Sequence, residues 1–225
     1  MLQPDFFNRD AQEVALSLLG KVIRHRYNNN WLSCRIIETE AYYAEEKASH
    51  SSLGFTQKRK AMFMPAGTIY MYYARGSDSL NISVKGDGNA VLIKSAIPFI
   101  DTLSPASTIQ VMQHLNPVLH SNAIRAQHKL CSGQTLLCRS LNLKLTDWDQ
   151  KSFIKNKFYI ETAGTPVEKY IQTTRIGIPP GRDEHLMYRF VDYHHRKNCS
   201  KNPLTRRNHL EGEHYYVKKY VSSSR

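Results

Sequence analysis

Two carboxylates one residue apart, Glu38 and Glu40, are the first residues in this chain whose type and spacing suggest chemistry. They lie in an apolar stretch that is expected to be a β-strand. Alternate residues of a strand share one face, so both carboxylates are expected to point the same way as Ile36 and Tyr42. A buried carboxylate is costly unless it is paired. This face is therefore either the solvated side of an edge strand, or a catalytic surface on which a general base lies beside a ring that stacks on a flat substrate.

A second group of candidate residues lies on either side of position 60. Tyr70 and Tyr72 share a face of an expected strand, where they either pack in the core or form a wall on which a nucleobase stacks. His50 lies in a polar loop, where a lone histidine is more often a surface or hydrogen-bonded residue than a catalytic one. The run Lys58-Arg59-Lys60 either contacts phosphates or belongs to a solvated loop.

The charge of the chain favours a polyanionic partner. Its 225 residues include 31 lysines and arginines against 19 aspartates and glutamates, which gives a formal net charge of +12. A positive field of this size attracts polyanions, of which duplex DNA is the commonest in a cell. An ordinary basic enzyme has the same composition, so charge alone does not decide between the two.

Several classes of protein are disfavoured by what the sequence lacks. No apolar run approaches the roughly 20 residues that span a bilayer, and no signal peptide is recognisable, so a cytoplasmic protein is expected. No Walker loop or dinucleotide-binding glycine motif is present, and His194 and His195 have no partner at ligand spacing, so neither a cofactor nor a metal is expected. The four cysteines are expected to be reduced and buried: Cys34, Cys131, Cys138 and Cys199.

Changes in hydrophobic period predict the elements that position these residues. Residues 10–20 are expected to form a helix that Asp10 caps and Gly20 ends. A second, mostly helical stretch is expected over residues 104–142. Strands are expected over residues 21–27, 31–43, 67–76, 80–86, 89–98 and 150–162. The chain shows no repeat and no low-complexity linker, so a single α+β domain is expected, with an atypical C-terminal end.

Taken together, these segments resemble the alkyladenine (3-methyladenine) DNA glycosylase family. The similarity extends from Phe6-Phe7 through LLGK (18–21) to about Phe190. Its strongest pieces are IETEAYY (37–43), AMFMPAGTIYMYY (61–73), LNISVKGDGNAVLIKSAIP (80–98) and LCSGQTLLCRSL (130–141), with RIGI (175–178) and YRF (188–190) as weaker support. The joint order and spacing of these pieces are specific to the family.

The resemblance implies both a fold and an activity. The fold would be a single α+β domain with a curved, mostly antiparallel sheet, peripheral helices and a protruding β-hairpin for the DNA minor groove. Residues 1–192 would form the catalytic domain and residues 193–225 a basic C-terminal extension. The activity would be monofunctional excision of alkylated or deaminated purines from double-stranded DNA by a monomer, without metal or other cofactor. The target nucleotide would be flipped out of the duplex and its N-glycosidic bond hydrolysed, leaving an abasic site.

The resemblance also implies roles for individual residues. Glu40 would be the general base that activates water for attack on C1′ of the sugar. The flipped base would be held by three rings, those of Tyr42, Tyr72 and His50. Asn81 would stand at the pocket floor and reject the exocyclic amine of normal guanine, and the backbone carbonyl of Ile178 would help to hold the water.

The sequence departs from the family pattern at three places. Arg75 stands where relatives carry a tyrosine that wedges into the duplex, so either Arg75 or Tyr73 would fill the gap left by the flipped base. Lys94 stands where relatives carry an arginine. The lysine keeps the positive charge but lacks the planar guanidinium group, and its amine raises the alternative of a Schiff-base lyase. Residues 193–225 lack the closing pattern of the family and either lie along phosphates or form a structural ending with a disordered tail.

Two rival functions belong to other classes. One is a non-catalytic protein of the same fold that recognises damaged DNA, and the presence of Glu40 argues against it. The other is a metal-dependent nuclease or RNA-processing enzyme, which requires a cluster of carboxylates or histidines that this sequence does not supply.

Overall fold

The computed structural model describes residues 1–74 and 76–220. Five α-helices form in this part of the chain: α1 (Pro4–Phe7), α2 (Ala11–Leu18), α3 (Thr108–Leu115), α4 (Gln134–Ser140) and α5 (Leu145–Trp148). Nine strands form one sheet: β1 (Val22–Tyr27), β2 (Asn30–Tyr42), β3 (Ile69–Ala74), β4 (Ser77–Ser83), β5 (Ala90–Pro98), β6 (Phe158–Glu161), β7 (Lys169–Thr173), β8 (Arg189–Asp192) and β9 (Tyr215–Lys219). The predicted α+β class is confirmed.

Strand β2 is the centre of this open sheet. Strand β5 pairs with one edge of β2, while β1 and β8 pair with successive parts of the other edge. The sheet continues from β5 through β4 to β3, from β8 through β7 to β9, and from β1 to β6. All of these strand pairs are antiparallel. Since β2 has neighbours on both edges, the alternative of a solvated edge strand for its two carboxylates is wrong.

Helix α2 forms where the sequence predicts it and packs on β2. The Asp10 carboxylate accepts hydrogen bonds from the backbone N–H groups of Gln12 (2.9 Å) and Glu13 (3.3 Å), which satisfies donors that have no partner inside the helix. The helix residues that the core buries are Ala11, Val14, Ala15 and Leu18. The Thr39 hydroxyl of β2 donates to the Ala15 carbonyl at 2.8 Å, which ties the helix to the central strand.

A β-bulge in β2 corrects the predicted face of one residue. The pairing of β2 with β5 shifts register between Ile36 and Glu38 and again between Glu38 and Thr39. Ile36 consequently packs in the main core with Ala41, whereas it was expected on the face of the two carboxylates. Because of the bulge, Ile36 and Glu38 point to opposite faces of the sheet, although they are two residues apart. The two carboxylates therefore share their face with Tyr42 but not with Ile36.

Two other predicted elements are shorter than expected. In 104–142, regular helix is confined to α3, α4 and a 3-10 turn at Gln127–Lys129. Pro105, Pro117 and Gly133 divide this stretch, because proline lacks a backbone donor and glycine favours turns. In 150–162 the strand is only β6, because the chain makes a tight turn in which Ile154 bridges Phe158. The four cysteines are free and buried, as predicted.

Candidate active site

The two carboxylates of β2 have different surroundings. Both side chains are fully buried. Glu38 Oε1 lies 2.6 Å from Arg189 Nε of β8. Its Oε2 accepts hydrogen bonds from Ser95 Oγ (2.5 Å) and from Ser200 N (2.9 Å) and Oγ (3.0 Å). Burial alone would raise the pKa of Glu38, but Arg189 and these donors outweigh it and hold that pKa below its ordinary value. Glu38 is therefore occupied by structural partners.

Glu40 contacts three groups that line a cavity. Its Oε2 accepts a hydrogen bond from the Tyr42 hydroxyl at 2.7 Å and lies 3.4 Å from Lys94 Nζ of β5. Its Oε1 accepts from the backbone N–H of Ile176 at 3.3 Å. Burial and the adjacent Glu40 carboxylate raise the pKa of Tyr42 well above its ordinary value, so the phenol is a hydrogen-bond donor at neutral pH.

The cavity has a volume of about 570 Å³, within the range of about 300–1,000 Å³ that is typical of small-ligand sites. Strands β2 to β5, the first turn of α4 with the residues before it, and loop residues at 48–50, 176–182 and 200–201 contribute its wall. The predicted site residues that line it are Tyr42, His50, Tyr72, Asn81, Lys94 and Ile178. Glu40 lies directly behind this wall, because Tyr42, Lys94 and Ile176 are all lining residues.

Aromatic rings form one side of the cavity. The rings of His50 and Tyr72 are 4.5 Å apart at 72°, an edge-to-face contact. Tyr70 stacks on Tyr72 with centroids 5.6 Å apart, and its hydroxyl lies 3.0 Å from His50 Nδ1. His50 therefore meets Tyr72, although 22 residues separate them in the sequence, and Tyr70 contacts both rings.

His50 is partly open to solvent but its ring contacts both tyrosines. Burial against these rings lowers the pKa of His50, and the nearby guanidinium groups of Arg59 and Arg182 lower it further. At neutral pH the imidazole is therefore neutral, with one nitrogen as donor and the other as acceptor.

Contacts to the backbone fix two further parts of the wall, Asn81 beside Tyr70 and the loop that follows Arg175. The buried Asn81 of β4 donates from Nδ2 to the Tyr70 carbonyl at 3.3 Å, which orients its amide. Arg175 donates to the Ala41 carbonyl at 2.9 Å and pairs with the buried Glu46 carboxylate, while its guanidinium lies 4.5 Å from the Tyr42 ring. These contacts hold the loop that presents the backbone N–H of Ile176 to Glu40.

Ile178 lies two residues further along this loop and lines the cavity. This loop contacts Glu40 through the backbone N–H of Ile176, a residue that the sequence does not identify as part of the site. A backbone N–H exists at almost every residue, so no side-chain pattern could have identified it. The same holds for Ser200, whose backbone N–H contacts Glu38 and which lies in a segment of unfamiliar sequence.

The described residues among those predicted to contact DNA, namely Lys58, Arg59, Lys60 and Tyr73, do not line the cavity. Strands β3 and β4 form a hairpin that closes at Ala74 and Ser77. Tyr73, near its end, has 63% of its surface exposed. Arg75 lies outside the described residues. Lys58 and Lys60 are exposed in a 3-10 helix (Gln57–Phe63), whereas Arg59 is partly buried and donates to the carbonyl of Gly54.

Within residues 1–74 and 76–220, no group of three or more histidine, cysteine, aspartate or glutamate side chains is placed to hold a metal ion. No helix in this part of the chain is both long and apolar enough to cross a membrane.

Comparison with known proteins assigns the family. A model of the methylpurine-DNA glycosylase family matches residues 5–196. The chain belongs to this family. A relative from Pseudomonas syringae pv. tomato is 58% identical over 214 residues, 95% of each chain. A relative from Pseudomonas aeruginosa (strain UCBPP-PA14) is 54% identical over 215 residues, 95% of this chain and 89% of its own. A relative from Methanocella arvoryzae is 32% identical over 197 residues, 85% of this chain and 92% of its own. All three bear the name "Putative 3-methyladenine DNA glycosylase".

Proposed function

We propose that this methylpurine-DNA glycosylase is a monofunctional enzyme that excises alkylated purines from double-stranded DNA with Glu40 as general base. The observation that carries the proposal is the position of Glu40, fully buried behind an aromatic cavity and bonded to Tyr42, Lys94 and Ile176. A carboxylate so placed is expensive to bury, and its partners orient it toward the cavity wall rather than toward the core.

The cavity suits a purine that has left the DNA stack. The N-glycosidic bond cannot be reached inside a duplex, so the nucleotide must rotate out at a cost of a few kcal/mol. Tyr42, Tyr72 and His50 offer rings on which the base stacks, worth about 1–3 kcal/mol for each base–ring contact. A methylated purine is cationic and electron-poor, and a tyrosine face attracts it more strongly than it attracts a neutral base.

The chemical step balances with water and Glu40 alone. The bond between C1′ and the purine nitrogen breaks, and its electron pair neutralises the positive charge of the alkylated base. A water oxygen forms a new bond to C1′, and the proton that it loses passes to the Glu40 carboxylate. The products are a neutral free base and an abasic site.

Tyr42, Ile176 and Ile178 would together position this water. Tyr42 and the N–H of Ile176 fix the two carboxylate oxygens, and the Ile178 carbonyl would accept a hydrogen bond from the water. Lys94 Nζ lies beside Glu40, so we assign it to supporting the carboxylate rather than to attacking C1′ as a lyase.

Specificity would come from the rest of the wall. Asn81, held by the Tyr70 carbonyl, would reject the exocyclic amine of normal guanine, and His50 would hydrogen-bond the edge of the base. Neutral lesions such as hypoxanthine and ethenoadenine require protonation as they leave, so 3-methyladenine and 7-methylguanine are expected to be better substrates.

DNA would bind as duplex to a monomer through the net charge of +12 and the residues around the cavity. Lys58, Arg59 and Lys60 would meet phosphates, and Tyr73 or Arg75 would fill the gap in the duplex.

The experiment uses a duplex with one 7-methylguanine, incubated with the protein in EDTA and then treated with mild alkali without strong heating, which cleaves abasic sites but spares the methylated base. The proposal predicts strand breaks that require both the protein and the alkali, and no protein–DNA adduct after borohydride. Breaks without alkali, or a borohydride-trapped adduct, would show a lyase. Tight binding without excision would show a protein that only recognises damage.

A further inference from the structure

The segment Cys199–Lys201 lies beyond residues 5–196, which the family model matches, yet it forms part of the cavity wall. Both Ser200 and Lys201 line the cavity. The contribution of this segment therefore follows from the structure of this chain and not from the family match.

A buried ion pair fastens this segment to the sheet. The Glu38 carboxylate of β2 accepts hydrogen bonds from the backbone N–H and the hydroxyl of Ser200, at 2.9 Å and 3.0 Å. Arg189 of β8, paired with Glu38, donates from Nη2 to the Lys201 carbonyl at 2.6 Å. Glu38 and Arg189 are fully buried, so their hydrogen bonds to Ser200 and Lys201 fix the position of the Lys201 backbone.

Among the described lining residues, three carry a cationic side chain. Lys94 is paired with Glu40, and Arg182 donates from its guanidinium to the Lys47 carbonyl. Lys201 is exposed and forms no ion pair with another described residue. Of these three cations, Lys201 is the one whose charged group has neither an ion-pair partner nor a hydrogen bond within residues 1–74 and 76–220, whereas Arg182 keeps its charge but is bonded to a carbonyl.

We propose that Lys201 binds a phosphate of the DNA backbone next to the extruded nucleotide. The inference rests on the proposed function, in which the base inside the cavity is itself cationic and repels an ammonium group. The nearest anions of such a ligand are the phosphates on either side of its sugar. A lysine neutralises a phosphate as a point charge and needs no fixed geometry.

The test is the salt dependence of binding to a duplex that carries a tetrahydrofuran abasic analogue, measured by fluorescence anisotropy between 50 and 250 mM KCl. The variants are Lys201→Ala, Lys201→Arg and, as a matched loss of one exposed lysine outside the cavity, Lys155→Ala. Removal of one phosphate contact is expected to make the slope of log K against log [KCl] shallower by about 0.9. Only Lys201→Ala should show this change, and Lys201→Arg should keep the wild-type slope.

A second readout separates phosphate binding from chemistry. In single-turnover excision of 7-methylguanine, Lys201→Ala is expected to raise the protein concentration that gives half the maximal rate more than it lowers the maximal rate itself. An unchanged slope in Lys201→Ala, an equal change in Lys155→Ala, or a large fall in the saturated rate would overturn the proposal. If wild type excises no lesion, the proposed function fails, and the salt slopes still decide whether Lys201 binds phosphate.

Discussion

The buried pair of Glu38 and Arg189 gives a quantitative test of how the cavity wall is held together. Both side chains are fully buried, with Arg189 Nε 2.6 Å from Glu38 Oε1. Arg189→Met keeps much of the side-chain volume but leaves the Glu38 carboxylate without its counter-charge. Removing one partner of a buried pair costs about 3–5 kcal/mol, a large share of the 5–15 kcal/mol that is typical for a folded domain. For a chain of this size, we expect the melting temperature to fall by roughly 6–20 °C.

The same variant has a predicted pH dependence. In the wild type the pKa of Glu38 is held below its ordinary value, because Arg189, Ser200 and Ser95 outweigh the effect of burial. A lowered carboxyl pKa contributes stability that is present above the unfolded pKa and lost as the pH falls through the folded pKa. In Arg189→Met, burial dominates and raises the pKa of Glu38. As the pH falls, Glu38 therefore takes up a proton in the folded variant, and the stability difference from the wild type becomes smaller. The loss in unfolding free energy should therefore be largest at pH 7 and smaller at pH 5.

Urea denaturation at pH 7 and pH 5, followed by circular dichroism, measures this loss. The matched control is Asp101→Asn, which removes one of the two carboxylates that pair with the buried Arg24. The Asp101 side chain is 29% exposed, and Arg24 keeps its second partner, Glu161. We expect the control to lose only about 1–2 kcal/mol. A loss below about 1 kcal/mol for Arg189→Met at pH 7, or a loss that grows toward pH 5, would refute the reasoning.

Three further predictions concern the cavity. Tyr72→Ala should weaken binding of the flipped base by about 1–3 kcal/mol, roughly 5- to 150-fold, whereas Tyr72→Phe keeps the ring and should change little, as measured by titrating a lesion duplex. The imidazole of His50 should titrate below 6.5 in NMR spectra, and Arg182→Met should raise its pKa because one neighbouring positive charge is lost. Asn81→Ser should release more guanine from undamaged DNA than wild type does, as measured by chromatography of free bases; an unchanged yield would remove Asn81 from the account of specificity.

The parts of the fold that sequence predicts well are those with local causes. Asp10 caps α2 as its spacing to Glu13 predicts, and the change of hydrophobic period places β1 to β5 to within a few residues. The stretch 104–142 was overestimated as helix, because its apolar residues are interrupted at Pro117 and Gly133. Strands β7, β8 and β9 are not predicted from the sequence, since each has only four or five residues. Strand β8 is in addition fixed by pairing with β2, which lies far away in the sequence.

The candidate site shows the same division. The i, i+2 spacing brings Glu38 and Glu40 to one buried face, but nothing local distinguishes them. What separates them is Arg189, 151 residues away from Glu38, and Ile176, 136 residues away from Glu40. These partners become visible only when the sheet is assembled. The contribution of Ser200 was also invisible, since a serine in a basic, unfamiliar segment gives no signal of its own.

The most direct test of the central claim is the single-turnover rate of Glu40→Gln on a duplex with one 7-methylguanine. The amide keeps the shape of the side chain but cannot accept the proton of the attacking water. The control is Glu45→Gln, the same change at an exposed carboxylate that does not line the cavity. We predict a fall of about 10²- to 10⁴-fold for Glu40→Gln with binding of the tetrahydrofuran duplex retained, and no change for the control. A Glu40→Gln rate within tenfold of wild type would contradict the assignment of the general base.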